Sequence, residues 1–532
     1  MDFKKKLAGA VLVFTLSLAG AAAADTDLCY QYITQKQYDQ AVSACSDQIN
    51  SGRYNAENLA ILYNTRGNAY KEKGQYALAI SDYNMAIQLN PSDPYPYNGR
   101  GNVYELLGKY DLAITDYNKA IQLNPSDAYP YNGRGNAYLD AGQYDLALDD
   151  FNKAIELMPS YPAAYNNRAV IYYDKGQYNL SIEDSAKAIE LDPTYTEAYI
   201  NRGNAYNKTG QYDLAIADFN KGLELDPSSS DAYNGLGNSY SDKGQNDQAV
   251  TYYTKAIDLK PSNPDPYYNR GIIYRKKGKY DLALADLNSA IALSPSFANA
   301  YSERCLVYYD KDLYDLAIAD CNKSIGLNPS DENTYNDRGN AYNSNGRHDL
   351  AITDFNKAIE LNPSDPNPYY NRGTAYYYDG QYENAADSFK KAVTLDTDKE
   401  LNEFDRLKVL LSLRHSSKAK AIEYFNNLKV YVDGNPLSAW VRTISKYYLG
   451  QTTQQGLFDE AAKGSSPSAI SGRLCQAYYY AGEEMLWEGN KQKARQFFQK
   501  SVDSLQTNKS DYDEWEAAKV MLEKLKENKN HI

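Results

Sequence analysis

Histidine and tryptophan are scarce in this chain of 532 residues, with three copies of each: His348, His415 and His531, and Trp440, Trp487 and Trp515. The spacing of the histidines supplies neither a metal-ligand set nor a base beside a nucleophile. His348 stands in an expected inter-helix turn, His415 in a basic helical stretch and His531 next to the C-terminus. No catalytic residue, metal ligand or cofactor is therefore expected. Basic residues are outnumbered, 56 Lys and Arg against 69 Asp and Glu, for a net charge of −13. So acidic a surface repels phosphate backbones and anionic lipid, which disfavours nucleic acid and membrane docking. Apolar runs are missing too: after Gly20 none has the length that spans a bilayer.

The start of the chain reads as an export leader over residues 1–24. Lys4, Lys5 and Lys6 form a basic segment, Leu7 to Gly20 a short apolar one, and Ala22-Ala23-Ala24 a small-residue cleavage site. Thr26-Asp27-Leu28 before Cys29 is not a lipoprotein box. The expectation is a periplasmic or secreted protein with no integral membrane segment once the leader is removed.

One residue is heavily over-used. Tyrosine occurs 54 times, against 12 phenylalanines, a bias that a repeating architecture would produce. From Gly67 a small residue recurs every 34 positions: Gly101, Gly135, Ala169, Gly203, Gly237, Gly271, Cys305, Gly339 and Gly373. With this register numbered position 8, ten contiguous repeats fill residues 60–399. Position 4 is tyrosine in all ten, from Tyr63 to Tyr369, and so is position 11, from Tyr70 to Tyr376. Position 20 is alanine in nine (Ser181 is the exception), and position 32 is proline in nine. Within 332–365, Tyr335, Gly339 and Tyr342 share one face of a first helix. Leu350, Ala351, Ile352, Phe355, Ala358, Ile359 and Leu361 form the apolar stripe of a second. Gly346 between them provides a left-handed stop, and Asn362-Pro363-Ser364-Asp365 ends one hairpin and caps the next. A single hairpin cannot bury its stripe, whereas stacked neighbours can.

Position 7 is arginine in nine repeats, and position 23 is aspartate in eight of those nine. The repeat at 230–263 loses both together, carrying Leu236 and Tyr252. Antiparallel helices turning near position 16 would bring the two side by side, which predicts a bridge such as Arg338–Asp354, worth roughly 0–1 kcal/mol if exposed.

The aromatic, Gly-x-x-Tyr, Ala, aromatic, Ala, Pro pattern resembles the tetratricopeptide repeat family over about two thirds of the chain. The resemblance implies an all-α fold, a right-handed superhelix of helical hairpins that binds proteins and is not an enzyme. It also implies that positions 2, 5, 6 and 9 of the first helices line a concave groove. Position 5 is Asn64, Asn98, Asn132, Asn166, Asn234 and Asn336; position 9 is Asn68, Asn102, Asn136, Asn204, Asn238 and Asn340. Asn167, Asn201, Asn269 and Asn371 occupy position 6. Amides at positions 5 and 9, one helical turn apart, would form a ladder able to hold a peptide backbone without reading its sequence. The lysines and arginine with which chaperone-type members clamp a carboxylate tail are missing from positions 2, 5 and 6. A protein or extended peptide is the expected partner, with a polysaccharide as the alternative, since amides alternating with tyrosines also suit sugars.

Residues 25–59 carry a degenerate repeat, with Cys29, Tyr38, Ala41 and Cys45 at positions 8, 17, 20 and 24. Cys305 and Cys321 hold the same two positions in the repeat at 298–331, facing each other across the hairpin. Disulfides Cys29–Cys45 and Cys305–Cys321 are expected, each stabilising by on the order of 3 kcal/mol. Cys475 has no evident partner. Residues 400–474 are expected to be irregular and helical, with turns at Asn435-Pro436 and Gly464 to Pro467. In 475–532 a repeat returns through Tyr478, Gly482, Gly489, Ala494 and Phe498, followed by a capping helix around Trp515 to Leu525. Leader, array and helical end together are similar to exported bacterial repeat proteins that scaffold cell-envelope enzymes. The acidic run Asp396, Asp398 and Glu400 lacks the glycine and closing glutamate of a calcium loop.

Overall fold

The computed structural model describes residues 23–396 and most of 401–527. Nearly all of the leader, the Asn435-Pro436 turn, Asp398, Glu400 and His531 lie outside the described residues. The described residues form helices and connecting turns, with no strand among them. Two compact units divide at Ile273 and Tyr274.

Each unit is a series of antiparallel helical hairpins in the 34-residue register. Typical pairs are Pro94–Leu106 with Tyr110–Leu123, Thr196–Lys208 with Tyr212–Leu225, and Glu332–Ser344 with His348–Leu361. The turn inside a hairpin needs a positive φ, and glycine takes it in nine repeats, from Gly74 (φ 70°) to Gly380 (φ 82°). Asp312 (φ 59°) does so in the tenth, one of the few residue types that tolerate this region. Asp93, Asp127, Asp331 and Asp365 cap the first helices, each carboxylate accepting from the backbone N–H two residues on. The second helix stops one residue short of the proline pair, at Leu361 before Asn362-Pro363.

Packing inside a hairpin centres on position 24. Tyr83, Tyr117, Phe151, Phe219, Phe355 and Phe389 are buried there. The small residue at position 8 is small because of that ring: a Cβ placed on Gly135 would lie 2.7 Å from the Phe151 ring, and one on Gly203 2.9 Å from Phe219. The following repeat grips the opposite side, since a Cβ on Gly99 would lie 2.7 Å from Tyr83 and one on Gly235 2.4 Å from Phe219. Where position 24 shrinks to Ser185 or Cys321, position 8 carries a Cβ, as Ala169 or Cys305. Leu350 departs from the expected stripe. It is 47% exposed, as are its counterparts Leu112, Leu146 and Leu214 to similar extents. Position 19 therefore lies outside the core.

In the C-terminal unit, Leu401–Ser416 buries Leu407, Leu410, Leu411 and Leu413 in the same core as Phe389, Tyr480 and Phe498. The returning hairpin is Pro467–Trp487 with Lys491–Ser504, and Asp513–Glu527 follows it. Its first helix begins eight residues before the boundary expected at 474/475, because Ser466 caps it and Pro467 opens it. His415 is not simply part of a basic surface. Its Nε2 lies 3.0 Å from the carboxylate of the buried Glu483, which also accepts from the Tyr377 hydroxyl at 2.5 Å. This cluster ties three helices together.

Candidate binding surface of the first helices

Consecutive first helices pack on one another from Ala23–Thr34 to Ser230–Asp242 in the first unit and from Ala298–Asp310 to Pro366–Asp379 in the second, making a continuous face in each. Arginine at position 7 organises one flank. Arg66, Arg100, Arg134, Arg168, Arg202, Arg304 and Arg338 each donate two hydrogen bonds, from Nε and Nη2, to the position 23 aspartate of the same hairpin at 2.6–2.8 Å. The expected bridge is thus present, and it is bidentate and largely buried. Two further contacts were not legible in the sequence. Each guanidinium sits over both the position 4 and the position 11 tyrosine rings, 5.3–5.9 Å from their centroids. In six of the seven the Nη1 also reaches back to the preceding hairpin, as from Arg134 to Asn118, Arg168 to Asn152 and Arg338 to Asn322, whereas Arg202 has Ala186 at the corresponding place. The tyrosines therefore hold the arginine in addition to filling the flanks.

The asparagines form a ladder, but not between positions 5 and 9. The amide at position 6 donates to position 5 of the preceding repeat: Asn167 to Asn132, Asn201 to Asn166, Asn269 to Asn234, and Asn371 to Asn336, at 2.8–3.2 Å. Position 9 instead accepts the hydroxyl of the position 24 tyrosine, as in Tyr83 to Asn68, Tyr117 to Asn102 and Tyr253 to Asn238. Two kinds of interruption leave acceptors without donors. Where position 6 is Gly99 or Gly133, the Oδ1 of Asn64 or Asn98 is buried without a hydrogen-bond partner. Where position 24 is Phe151, which has no hydroxyl, the Oδ1 of Asn136 is in the same state. Asn204 borders a shallow depression with Val170, Tyr173, Asp174 and Asn201, while Asn340 is half-buried in the C-terminal unit.

The cysteine pairs meet as their register requires. Cα atoms are 5.3 Å apart for Cys29 and Cys45, and 5.6 Å for Cys305 and Cys321, both at disulfide distance. Cys475 is buried, and burial pushes its thiol up to about 12. Among the described residues no cluster of His, Cys, Asp and Glu could hold a metal ion, and no helix is long and apolar enough to cross a membrane.

Position 6 also carries Glu303 and Asp337 in the C-terminal unit. Their signal was visible: acidic residues at a register otherwise held by asparagine, glycine or threonine.

Stacked helical hairpins with a continuous first-helix face define a protein-binding repeat scaffold. The chain belongs to the tetratricopeptide repeat family, whose profiles match residues 67–108, 135–176, 170–210, 237–278, 271–312 and 339–380, and in related forms 94–127, 116–149, 196–229, 219–251 and 366–398. Solved structures similar to it include the APC/C hetero-tetramer Cut9-Hcn1, at 16% identity over 74% of this chain and 97% of that one, with a TM-score of 0.45. YrrB, described as a TPR protein with an unusual peptide-binding site, is 28% identical over 35% of this chain and 95% of its own, with a TM-score of 0.29. MamA protein is 31% identical over 31% and 91%, with a TM-score of 0.28. No curated protein matches the sequence significantly.

Proposed function

We propose that the protein is an exported, non-enzymatic scaffold that holds extended polypeptide along the first-helix face, as part of cell-envelope complexes. The observation that carries this reading is the interrupted amide ladder. Asn64 and Asn98 face Gly99 and Gly133 of the next repeat, which offer no side-chain amide, and both carboxamides are only half-buried on the first-helix face. A carboxamide both donates and accepts, and so does the backbone of an extended chain, at intervals along its length whatever its sequence. Sugar hydroxyls could serve as well, so a polysaccharide is the alternative ligand.

Export carries two linked proposals: residues 1–24 are a cleaved leader, and the two cysteine pairs are disulfides formed in an oxidising compartment. Pull-down with the full chain, against an envelope-protein lysate and a polysaccharide panel in parallel, separates the two ligand classes. Retention of polypeptide that weakens in N64A/N98A supports the reading; retention of polysaccharide alone defeats it.

A further inference from the structure

The face of the C-terminal unit is electrostatically unlike that of the N-terminal one. Across the repeats at 298–331 and 332–365, four carboxyl groups gather: Glu303 and Asp337 at position 6, Asp310 near the end of its helix, and the capping Asp331. The nearby cation is Arg275, and it is already engaged. Its Nε donates to Glu303 at 2.5 Å and its Nη1 to Asp310 at 3.2 Å. Asp331 accepts from the N–H of Asn333 at 3.2 Å and from the Thr334 hydroxyl at 2.5 Å. Asp337 has no hydrogen-bond or ion-pair partner among the described residues, although it is mostly buried. At the same register, Asn371 places its amide on the preceding first helix. Asp337 holds the equivalent position next to the preceding first helix, from which Glu303 acts on its carboxyl. From the following helix, Asn371 brings an uncharged amide engaged with Asn336.

A mostly buried carboxyl among three further carboxyls and one committed arginine is short of one positive charge. We propose that this recess receives the cationic side chain, lysine or arginine, of a polypeptide lying along the first helices of the repeats at 298–365. The inference rests on the polypeptide reading of the face and adds the chemistry of one subsite. A guanidinium or ammonium entering beside Asp337 would donate to it directly and offset the field of Asp331 and Glu303. Burial, then Asp331, Glu303 and Asp310, push the Asp337 carboxyl up to about 7, against the opposing effect of Arg275. The cation binds the ionised form, so its capture strengthens as pH rises through about 7.

The test uses the full chain and two fluorescent decapeptides of alternating glycine and serine, blocked at both ends. One carries a central arginine and the other citrulline, its uncharged near-isostere. The arginine peptide should bind about tenfold more tightly at pH 8, with a preference that shrinks toward pH 6 and is lost in D337N. Equal affinity of the two peptides for the unaltered protein overturns the recess and leaves the polypeptide reading standing. Failure of both peptides to bind at millimolar concentration overturns that reading, and the recess with it. Because the arginine–citrulline comparison is made on the unaltered chain, it decides the matter even if D337N folds poorly.

Discussion

Replacing Gly235 by alanine tests the packing logic most directly. Its added Cβ would lie 2.4 Å from both Cε1 and Cζ of Phe219, about 1 Å inside an ordinary carbon contact. The ring cannot retreat, because Gly203 lies against it from its own hairpin, where a Cβ would stand 2.9 Å away. Overpacking of this kind costs about 1–3 kcal/mol, while alanine for glycine within a helix returns up to about 1 kcal/mol. The net expectation for G235A is a loss of about 1–2 kcal/mol. Gly222 is the matched control: it lies in the helix Tyr212–Leu225, and its Cβ would meet Ile200 at a normal 3.5 Å. G222A should therefore gain about 0.5–1 kcal/mol. A long repeat array need not unfold in one step, so local hydrogen exchange in the helices Tyr212–Leu225 and Ser230–Asp242 is the assay. G235A should exchange faster there and G222A more slowly, with Phe219→Leu restoring part of the protection to G235A. If the two variants move in the same direction, contact with the ring is not what dictates glycine at this register.

In the repeat at 332–365, D354A should cost about 1–3 kcal/mol by leaving Arg338 half-buried and unpaired. The double change R338L/D354Y, copying Leu236 and Tyr252, should recover most of it in a double-mutant cycle; equal costs would refute the coupling. Thiol titration of the denatured, unreduced protein should find one free cysteine, Cys475, whereas five would remove both disulfides. In the native state that thiol, buried and pushed up to about 12, should resist alkylation at pH 8. Asp337 has its folded value raised to about 7, so its contribution to stability is complete below about pH 4 and is lost as pH rises through about 7. D337N should accordingly raise the melting temperature relative to the unaltered protein more at pH 8 than at pH 5, and an equal shift at both would refute the assignment.

The hairpin repeat was legible in the sequence because its determinants are local. A glycine that takes positive φ between helices, an aspartate that caps the next helix, and a stripe that closes only by stacking recur at fixed spacing, and each acts within one or two turns. The Arg–Asp bridge was legible for a related reason: two positions 16 apart straddle one turn, and Leu236 with Tyr252 showed them changing together. What lies between neighbouring repeats was not. The third bond of six of these arginines, the passage of the amide ladder from position 6 back to position 5, and the grip of Gly235 on Phe219 all depend on how one hairpin seats on the last. Asn64, Asn98 and Asn132 are identical in the sequence, and only the residue that the next repeat sets opposite each decides whether its oxygen is satisfied. Likewise His415, Glu483 and Tyr377 are far apart along the chain, and packing of their three helices makes them one cluster. Local backbone chemistry determined the repeating unit; the stacking of units, where side chains meet partners from another hairpin, decided which polar groups are satisfied.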